Sequence, residues 1–429
     1  MFKVPRPFIR LALALVSAVA LWTAVPGRAA AQTQDDFFSD TSLQDVRLFV
    51  NARDWQTLKD TSDQDTYYPA DLRWRGLTVR NIGVRSRGNT TRNGIKPGLR
   101  VDINRYVSNR EFLGLKAFVL DNSYSDASLI RESVAMKMFM RLGLPAPREA
   151  HARLYVNNQF AGVYAIVEAV DRTFVTRVFG AIEGELETGG YLYEYEWVGP
   201  YGFEDLGGAL ESYAVRFIPH TRDTDSMFGL YQPIADMVRA ISETSDDRFV
   251  SVVGGYLDLR LLMKYLAIEN FMADRDGLVG EWGLNNFYLY RFRQQGRPSV
   301  LIPWDEDRTF EAADHPIDYH LETEVLVRRA MQAPELRGIY LDTLRTCAAL
   351  STEQVTGDSL GWLEREVDRQ ARQIAPAVAE DPVFPFSVDE FEANVDVMRA
   401  FARIRPAFVG CQVANGLDPQ APQQRCSIP

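Results

Sequence analysis

Apolar residues change their spacing partway along this chain, and that change limits what it can fold into. From Leu43 to Asp171 they recur at near-alternate positions, and the later segments turn largely to helical spacing. A period of two puts alternate side chains on the two faces of a sheet. A period near 3.6 lines one face of a helix. The chain therefore reads as α+β, with a strand-rich part, then a helix-rich part, and a boundary near Asp171.

The alternation is clearest at Leu72, Trp74, Leu77, Val79, Ile82 and Val84, with Gly76 as a turn. Further strands are expected over 98–104 and 117–120, then a hairpin over 152–157 and 160–171 that turns at Asn157-Asn158-Gln159. Its second strand is almost continuously apolar, as a central strand would be. One helix interrupts the strands, Asp126 to Leu142, capped by Asp126 or Ser128 and ended by Gly143, Pro145 and Pro147. A helix from Arg172 to Gly180 opens the second part. Residues 181–230 are Gly- and Tyr-rich, with short strands at 191–197 and 213–218. Helices follow at Ile234–Ile241, Leu257–Phe271, Thr352–Val378 and Val388–Ile404, with Pro376 expected to end or kink the third.

The first 31 residues read as a cleaved secretory signal. Lys3, Arg6 and Arg10 precede an apolar run from Leu11 to Val25, and Ala29-Ala30-Ala31 supplies a small-residue cleavage site. The run is short for a bilayer span, so no stable membrane span is expected after cleavage. The mature protein is placed outside the cytoplasm: periplasm, cell envelope or extracellular space. Cleavage removes four cations and no acids, leaving a net charge of about −15. That excess of acid argues against a nucleic-acid partner, which needs clustered Lys and Arg. Cys411 and Cys426 can close a loop in an exported chain, whereas Cys347 has the apolar surroundings of a buried thiol. The four histidines are scattered and suggest no His-based metal site.

The chemistry concentrates between Glu269 and Phe310. Asp274 and Asp276 precede the pair Asn285-Asn286 and a strand-like run, Phe287 to Phe292. Asp305, Glu306 and Asp307 follow the strand end Ile302-Pro303-Trp304. In an extended segment Asp305 and Asp307 point to the same side and repel unless a cation lies between them. Asp276 and Asn286 can complete a hard-cation site of oxygen ligands. Each residue alone is also a common turn former. Read this way, the site leaves phosphoryl transfer and hydrolysis both open. Upstream, Arg85 to Arg92 carries three arginines and Gly88, a turn suited to an anion or a solvated loop. Lys96 reads as a phosphate-binding cation or a surface lysine. Glu132 reads as that lysine's partner or a carboxylate favouring its helix dipole.

Five stretches in this order resemble the CotH kinase family, the spore-coat protein H type of atypical secreted protein kinase. They are RGNTTRNGIKPGLRVDINRY (87–106), the segment 128–171, Phe179-Gly180 with the Gly/Tyr strand to 193, DRDGLVGEWGLNNFYLY (274–290) and IPWDEDRTF (302–310). The resemblance implies a diverged protein-kinase-like two-lobed fold, with a β-rich N-lobe, a helical C-lobe and a helical C-terminal extension. The implied division is a signal peptide at 1–31, a disordered linker at 32–42, the N-lobe at 43–170, the C-lobe with catalytic and metal loops at 171–350, and the extension at 351–429. It implies ATP, magnesium or manganese, and phosphorylation of Ser or Thr in secreted or envelope proteins. By the same resemblance Asp276 is the catalytic aspartate, and Asn286, Asp305 and Asp307 hold the metal. Asp274 becomes a bystander or loop cap. Lys96 binds phosphate with Glu132 as its helix partner, and Arg87 and Arg100 are further nucleotide contacts. Glu168 to Val170 forms a hinge contacting adenine through its backbone. No GxGxxG loop is present, so Arg87-Gly88-Asn89 would cover the phosphates. Two other functions compete: a catalytically degenerate envelope or surface-assembly protein on the same fold, and a metal-dependent hydrolase of surface polymers, for which the sequence offers neither nucleophile nor His ligand.

Overall fold

Phe37 sits with its ring centroid 5.4 Å from Trp74, 5.0 Å from Phe112 and 4.9 Å from Phe118, and a β-barrel closes around these rings. The computed structural model describes residues 1–2, 31–180, 189–416 and 426. The secretory leader expected over 1–31 lies outside the described residues, Met1, Phe2 and Ala31 apart. Phe37 belongs to a short helix, α1 (Gln34–Phe37), whose capping box is built by Thr33 and Asp36. The segment expected to be a disordered linker is therefore ordered. Two aromatic residues, Phe37 and Phe38, are drawn out of a polar stretch by the barrel interior.

The barrel strands are β1 (Gln44–Val50), β2 (Tyr68–Trp74), β3 (Leu77–Arg87), β4 (Gly98–Asp102), β5 (Ala117–Asp121), β6 (Glu149–Val156) and β7 (Gln159–Glu168). Helix α2 (Ala52–Asp60) follows β1, and α3 (Arg131–Arg141) lies between β5 and β6. The spatial order is β1-β2-β3-β4-β5-β7-β6, antiparallel except where β1 meets β6 in parallel to close the ring. Val46, Leu48, Leu72, Trp74, Val84, Leu99, Val101, Phe118 and Ile166 fill it. The alternation seen at these positions is the pleat of a sheet with one face turned inward.

After α4 (Arg172–Phe179), strands β8 (Tyr191–Tyr195) and β9 (Phe217–Pro219) flank α5 (Glu211–Ala214). Helices α6 (Met227–Glu243), α7 (Asp246–Val253) and α8 (Leu259–Met272) lead into β10 (Phe287–Arg291) and β11 (Val300–Pro303). The chain ends in α9 (Val325–Gln332), α10 (Pro334–Ser351), α11 (Trp362–Ala379) and α12 (Val388–Asn415). Strands β11-β10-β8-β9 make a second, antiparallel sheet. The architecture is α+β. Among the described residues no helix is long and apolar enough to cross a membrane.

Two helix boundaries depart from expectation. The helix expected from Thr352 to Val378 starts only at Trp362, because residues 352–361 form a turn. Gly357 has a φ of +86°, and a Cβ at Gly361 would meet the Ser351 carbonyl oxygen at 2.4 Å. Pro376 falls in the last turn of α11 and does not stop it earlier. The final helix runs on through Pro406 to Asn415. Beside that proline, Arg405 is fully buried and donates to the carbonyls of Phe271, at 2.9 Å, and Asn270, at 2.5 Å, at the end of α8. It also donates to Ala313 and His315. A cation at a helix C-terminus satisfies orphan carbonyls and complements the dipole. Here it fixes where α8 stops and the acidic loop begins. Cys411 and Cys426 form a disulfide, and Cys347 is a buried free thiol.

Candidate active site

The site lies where the outer face of the barrel meets the second sheet. Register pairs Arg85 with Arg100, Arg100 with Val119, Val119 with Val167, and Val167 with Glu149. Asp121 pairs with Ala165 one row over. These residues alternate with the inward-facing core, so they point away from the barrel axis. Opposite them are Leu192, Tyr288, Ile302 and Trp304, which form an apolar layer with Val119, Ala165 and Val167. The apolar layer holds the two sheets together, and charged groups gather along its edge.

The Asp276 loop starts where α8 ends, at Ala273 in a left-handed conformation (φ 59°). Asp274 caps the turn by accepting from the Asp276 N–H at 3.1 Å. The Asp276 carboxylate accepts from the Asn285 amide at 3.0 Å and from the Asn286 amide at 3.3 Å. Asn286 also donates to the Asp305 carbonyl at 3.2 Å, and the Asp305 N–H donates to Glu132 at 3.2 Å. Asp276, Asn286, Asp305 and Glu132 are thus brought into one connected chain. Burial raises the Asp276 pKa, opposed by the Asn285 amide and by Arg308. Asn286, just before β10, has a φ of 56°, and Asp305 has one of 57°, so the segment after β11 is a turn and not the extended run expected. Asp305 and Asp307 reach the same cleft across that turn, with Glu306 directed beneath it.

Acid outnumbers positive charge in the cleft, where Arg131 pairs with Asp126 at 3.1 Å. A cavity of about 10 Å³ is lined by Asp121, Asp126, Glu132, Glu149 and Asp307, with Ser123 and Ser133 beside them. Asp307 accepts from Ser125 at 3.1 Å. Both Glu149 carboxylate oxygens are buried without a hydrogen-bond partner among the described residues. Burial and then Glu149 push the Glu132 pKa well up, and burial and then Asp121 do the same to Glu149. The protein packed around Asp305, with Asp121, raises its carboxyl to about 6 despite Arg87, although the side chain keeps contact with solvent, and desolvation with Asp305 raises half-buried Asp307. Crowded carboxylates with orphan oxygens are a donor set that fits a hard divalent cation. The cavity is the size of a single ion or water, so anything larger requires the two sheets to part.

Two arginines face this acid. Arg87 stacks over the Trp304 ring at 4.8 Å, and Arg87 and Arg100 both act on Glu194 of β8. His220 bonds Glu194 at 2.7 Å. Burial opposes ionisation of Glu194, but the hydrogen bond and charge of His220, with the two arginines, hold its carboxyl down at about 2. The rest of the arginine-rich turn is committed elsewhere, since Arg85 and Arg92 both pair with Asp65, at 2.7 and 2.6 Å.

Lys96 is not the partner of Glu132. Its ammonium lies 3.2 Å from Asp381, both side chains being buried, and packs over the Tyr164 and Phe384 rings. Pro97 ends the loop so that Lys96 faces the α11–α12 connection and not the cleft, leaving Arg100 as the cation that β4 turns outward. Glu168 is also spoken for. Its carboxylate takes Arg148, at 2.7 Å, and Arg177, at 2.5 Å, and its N–H donates to the Arg148 carbonyl at 2.9 Å. Neither its amide N–H nor its carboxylate is available to an adenine.

Asp121, Glu149 and Glu194 were not singled out from the sequence. Each occupies an outward position of a strand, so alternation alone could have flagged them as facing away from the core. What alternation lacks is which strand or sheet lies opposite.

Comparison with known proteins bears on this geometry. The family model described as CotH kinase protein matches residues 84–409. The chain is also 24% identical over 382 residues to the inner spore coat protein H of Bacillus subtilis (strain 168), covering 86% of this chain and 98% of that protein.

Proposed function

The chain belongs to the CotH kinase protein family, and from that premise we propose that it is an exported protein kinase, transferring the γ-phosphate of ATP to Ser or Thr hydroxyls of secreted or envelope proteins with magnesium or manganese. The observation that carries this reading is the connected chain Asp276–Asn286–Asp305–Glu132 beside an acidic cavity, with Arg87 and Arg100 on the facing sheet. Phosphoryl transfer asks a protein for a carboxylate near the acceptor hydroxyl, carboxylates and an amide for metal, and fixed cations for phosphate. Asp276 serves as the base, its carboxylate oriented by two amide donors. Asn286, Asp305 and Asp307 hold the metal, which neutralises phosphate charge when bound. Asp121, Glu132 and Glu149 add carboxylate to the same cleft. Arg87 and Arg100 hold the phosphates in place of a glycine-rich loop. On this reading the barrel is the N-lobe, the helices and second sheet are the C-lobe, and the apolar layer of Val119, Ala165, Val167, Leu192 and Ile302 receives the adenine. The relative named as an inner spore coat protein is in keeping with an envelope or coat location.

A second reading keeps the fold without turnover, as an assembly protein. It is favoured by the closed cleft, whose cavity holds no more than an ion. Incubating the purified chain with radiolabelled ATP and magnesium or manganese, beside Asp276→Asn and Asp305→Asn, separates the two. The kinase reading expects label incorporation that falls roughly 10²–10⁴-fold in Asp276→Asn. Absence of both label and any ATP-dependent thermal shift in the presence of the metal overturns it in favour of the assembly role.

A further inference from the structure

Beneath the cleft lies a second group of acids that the proposed chemistry does not use. Glu269 belongs to the last turns of α8, Asp274 to the loop after it, and Glu306 to the turn after β11. Their exposures are 2%, 4% and 0%. One carboxylate oxygen from each lies within 4.8 Å of the other two. Among the described residues none of the three is ion-paired to a Lys, Arg or His, in contrast to Glu168 or Asp381. Three buried acids without a counter-charge are costly to hold together.

The hydrogen bonds these acids do make are few and point one way. Glu269 accepts from the Leu278 N–H, at 3.1 and 3.2 Å for its two oxygens. Asp274 accepts from the Asp276 N–H. Glu306 meets the Tyr265 hydroxyl at 3.4 Å through one oxygen and lies against the Asp274 carboxyl, while among the described residues no N–H or O–H of another group donates to its buried Oε2. The backbone leaves room for the carboxylates only because position 277 is glycine. A Cβ there would come 2.2 Å from an Asp274 oxygen and 2.3 Å from a Glu269 oxygen.

We propose that Glu269, Asp274 and Glu306 bind a hard divalent cation, a structural ion separate from the metal of the cleft. Oxygens bound to calcium sit about 2.3–2.6 Å from the ion, so ligands on opposite sides are separated by roughly twice that. The 4.8 Å limit on the three oxygens falls within that reach. A proton shared between the Asp274 and Glu306 carboxyls is the competing occupant, and a cation takes its place while giving the buried Glu306 Oε2 a ligand role. The ion ties together the end of α8, the loop that carries Asp276 and the turn that carries Asp305 and Asp307. The inference does not depend on the kinase reading, because it needs neither nucleotide nor turnover.

The test uses the full purified chain, stripped with chelator and dialysed against calcium or magnesium without nucleotide. Bound metal is counted by elemental analysis, and melting is followed by circular dichroism. The expected result is one tightly held equivalent per chain in the wild type and in the Asp305→Asn/Asp307→Asn double variant, with its loss in Glu306→Gln. Chelation lowers the wild-type melting temperature, and returning the ion restores it. A wild type that holds no ion without nucleotide, or an ion lost in the double variant and kept in Glu306→Gln, overturns the proposal. If Glu306→Gln does not fold, Asp274→Asn replaces it. If neither folds, the count in the double variant decides: a retained equivalent supports the site and a lost one overturns it.

Discussion

Lys96 and Asp381, 285 positions apart in the chain, meet in a fully buried ion pair with the ammonium 3.2 Å from the carboxylate. Asp381 also accepts from the N–H groups of Val163 and Val383, each at 2.9 Å. One residue of the α11–α12 connection thus anchors the loop before β4 and the hairpin of β6 and β7. Removing one partner of such a pair strands the other charge, at a cost of about 3–5 kcal/mol. Asp381→Asn should lower the denaturant midpoint accordingly, while the double change Lys96→Met/Asp381→Leu should cost much less. A nucleotide lysine would behave differently: Lys96→Met would abolish ATP binding and leave stability intact.

Arg87 and Arg100 stand where a phosphate-binding cation is wanted, on the outer face of β3 and β4. Under the kinase reading, Arg87→Ala and Arg100→Ala should each weaken ATP binding. Charged hydrogen bonds contribute about 1.5–3 kcal/mol, so KM for ATP should rise roughly ten- to a hundredfold. Arg85→Ala, which loses the pair with Asp65, a bond to the Ser86 carbonyl and the Tyr67 ring, should leave KM near the wild-type value. Steady-state kinetics on the three variants checks this.

Glu324 provides a pH test away from the cleft. Burial, reinforced by Glu204, raises its carboxyl from the ordinary range to about 8. One of its oxygens is buried without a partner. The folded state therefore holds a proton that the unfolded chain releases near pH 4.5. The stability it contributes is fully present below that pH and is lost as pH rises through about 8. Glu324→Gln, which cannot ionise, should flatten this decline. Denaturation midpoints at pH 5 and pH 8.5 should differ less in the variant than in the wild type.

Phe37 is fully buried among Trp74, Phe112 and Phe118. Replacing it with alanine opens a cavity inside the barrel, and Phe→Ala changes of this kind cost about 3–5 kcal/mol. Phe37→Ala should show that loss in urea unfolding. A change near zero would mean that the N-terminal segment merely rests on a barrel complete without it.

Much of the α+β architecture was legible because periodicity is a local property. Leu72, Trp74, Ile82 and Val84 announce their strands through spacing alone, and all four point into the barrel. The cluster at Asp276, Asn286 and Asp305 was legible because one hairpin joins its parts within a few dozen residues. Phe37 was not legible, since its short polar neighbourhood carries no period and the barrel that receives it is assembled from strands far away in sequence. The turn between α10 and α11 was missed because apolar residues on both sides kept a helical rhythm across Gly357.

Lys96 and Arg100 mark where local reasoning ends. The sequence by itself determined that both flank or lie in one strand, that Asp276 precedes an Asn-Asn strand, and that Asp305 and Asp307 lie two positions apart after a strand end, though not that a turn joins them. It could not say that β4 turns Arg100 toward Glu194 while Asp381 draws Lys96 away from Glu132. Nor could it say that Glu149, Asp121 and Glu132 converge on one cavity, or that Glu306 turns beneath it toward Asp274 and Glu269. Spacing decides which face of an element a side chain occupies. Only tertiary packing decides what charge waits opposite that face, and at buried sites the opposing charge sets both the cost of burial and the chemistry available.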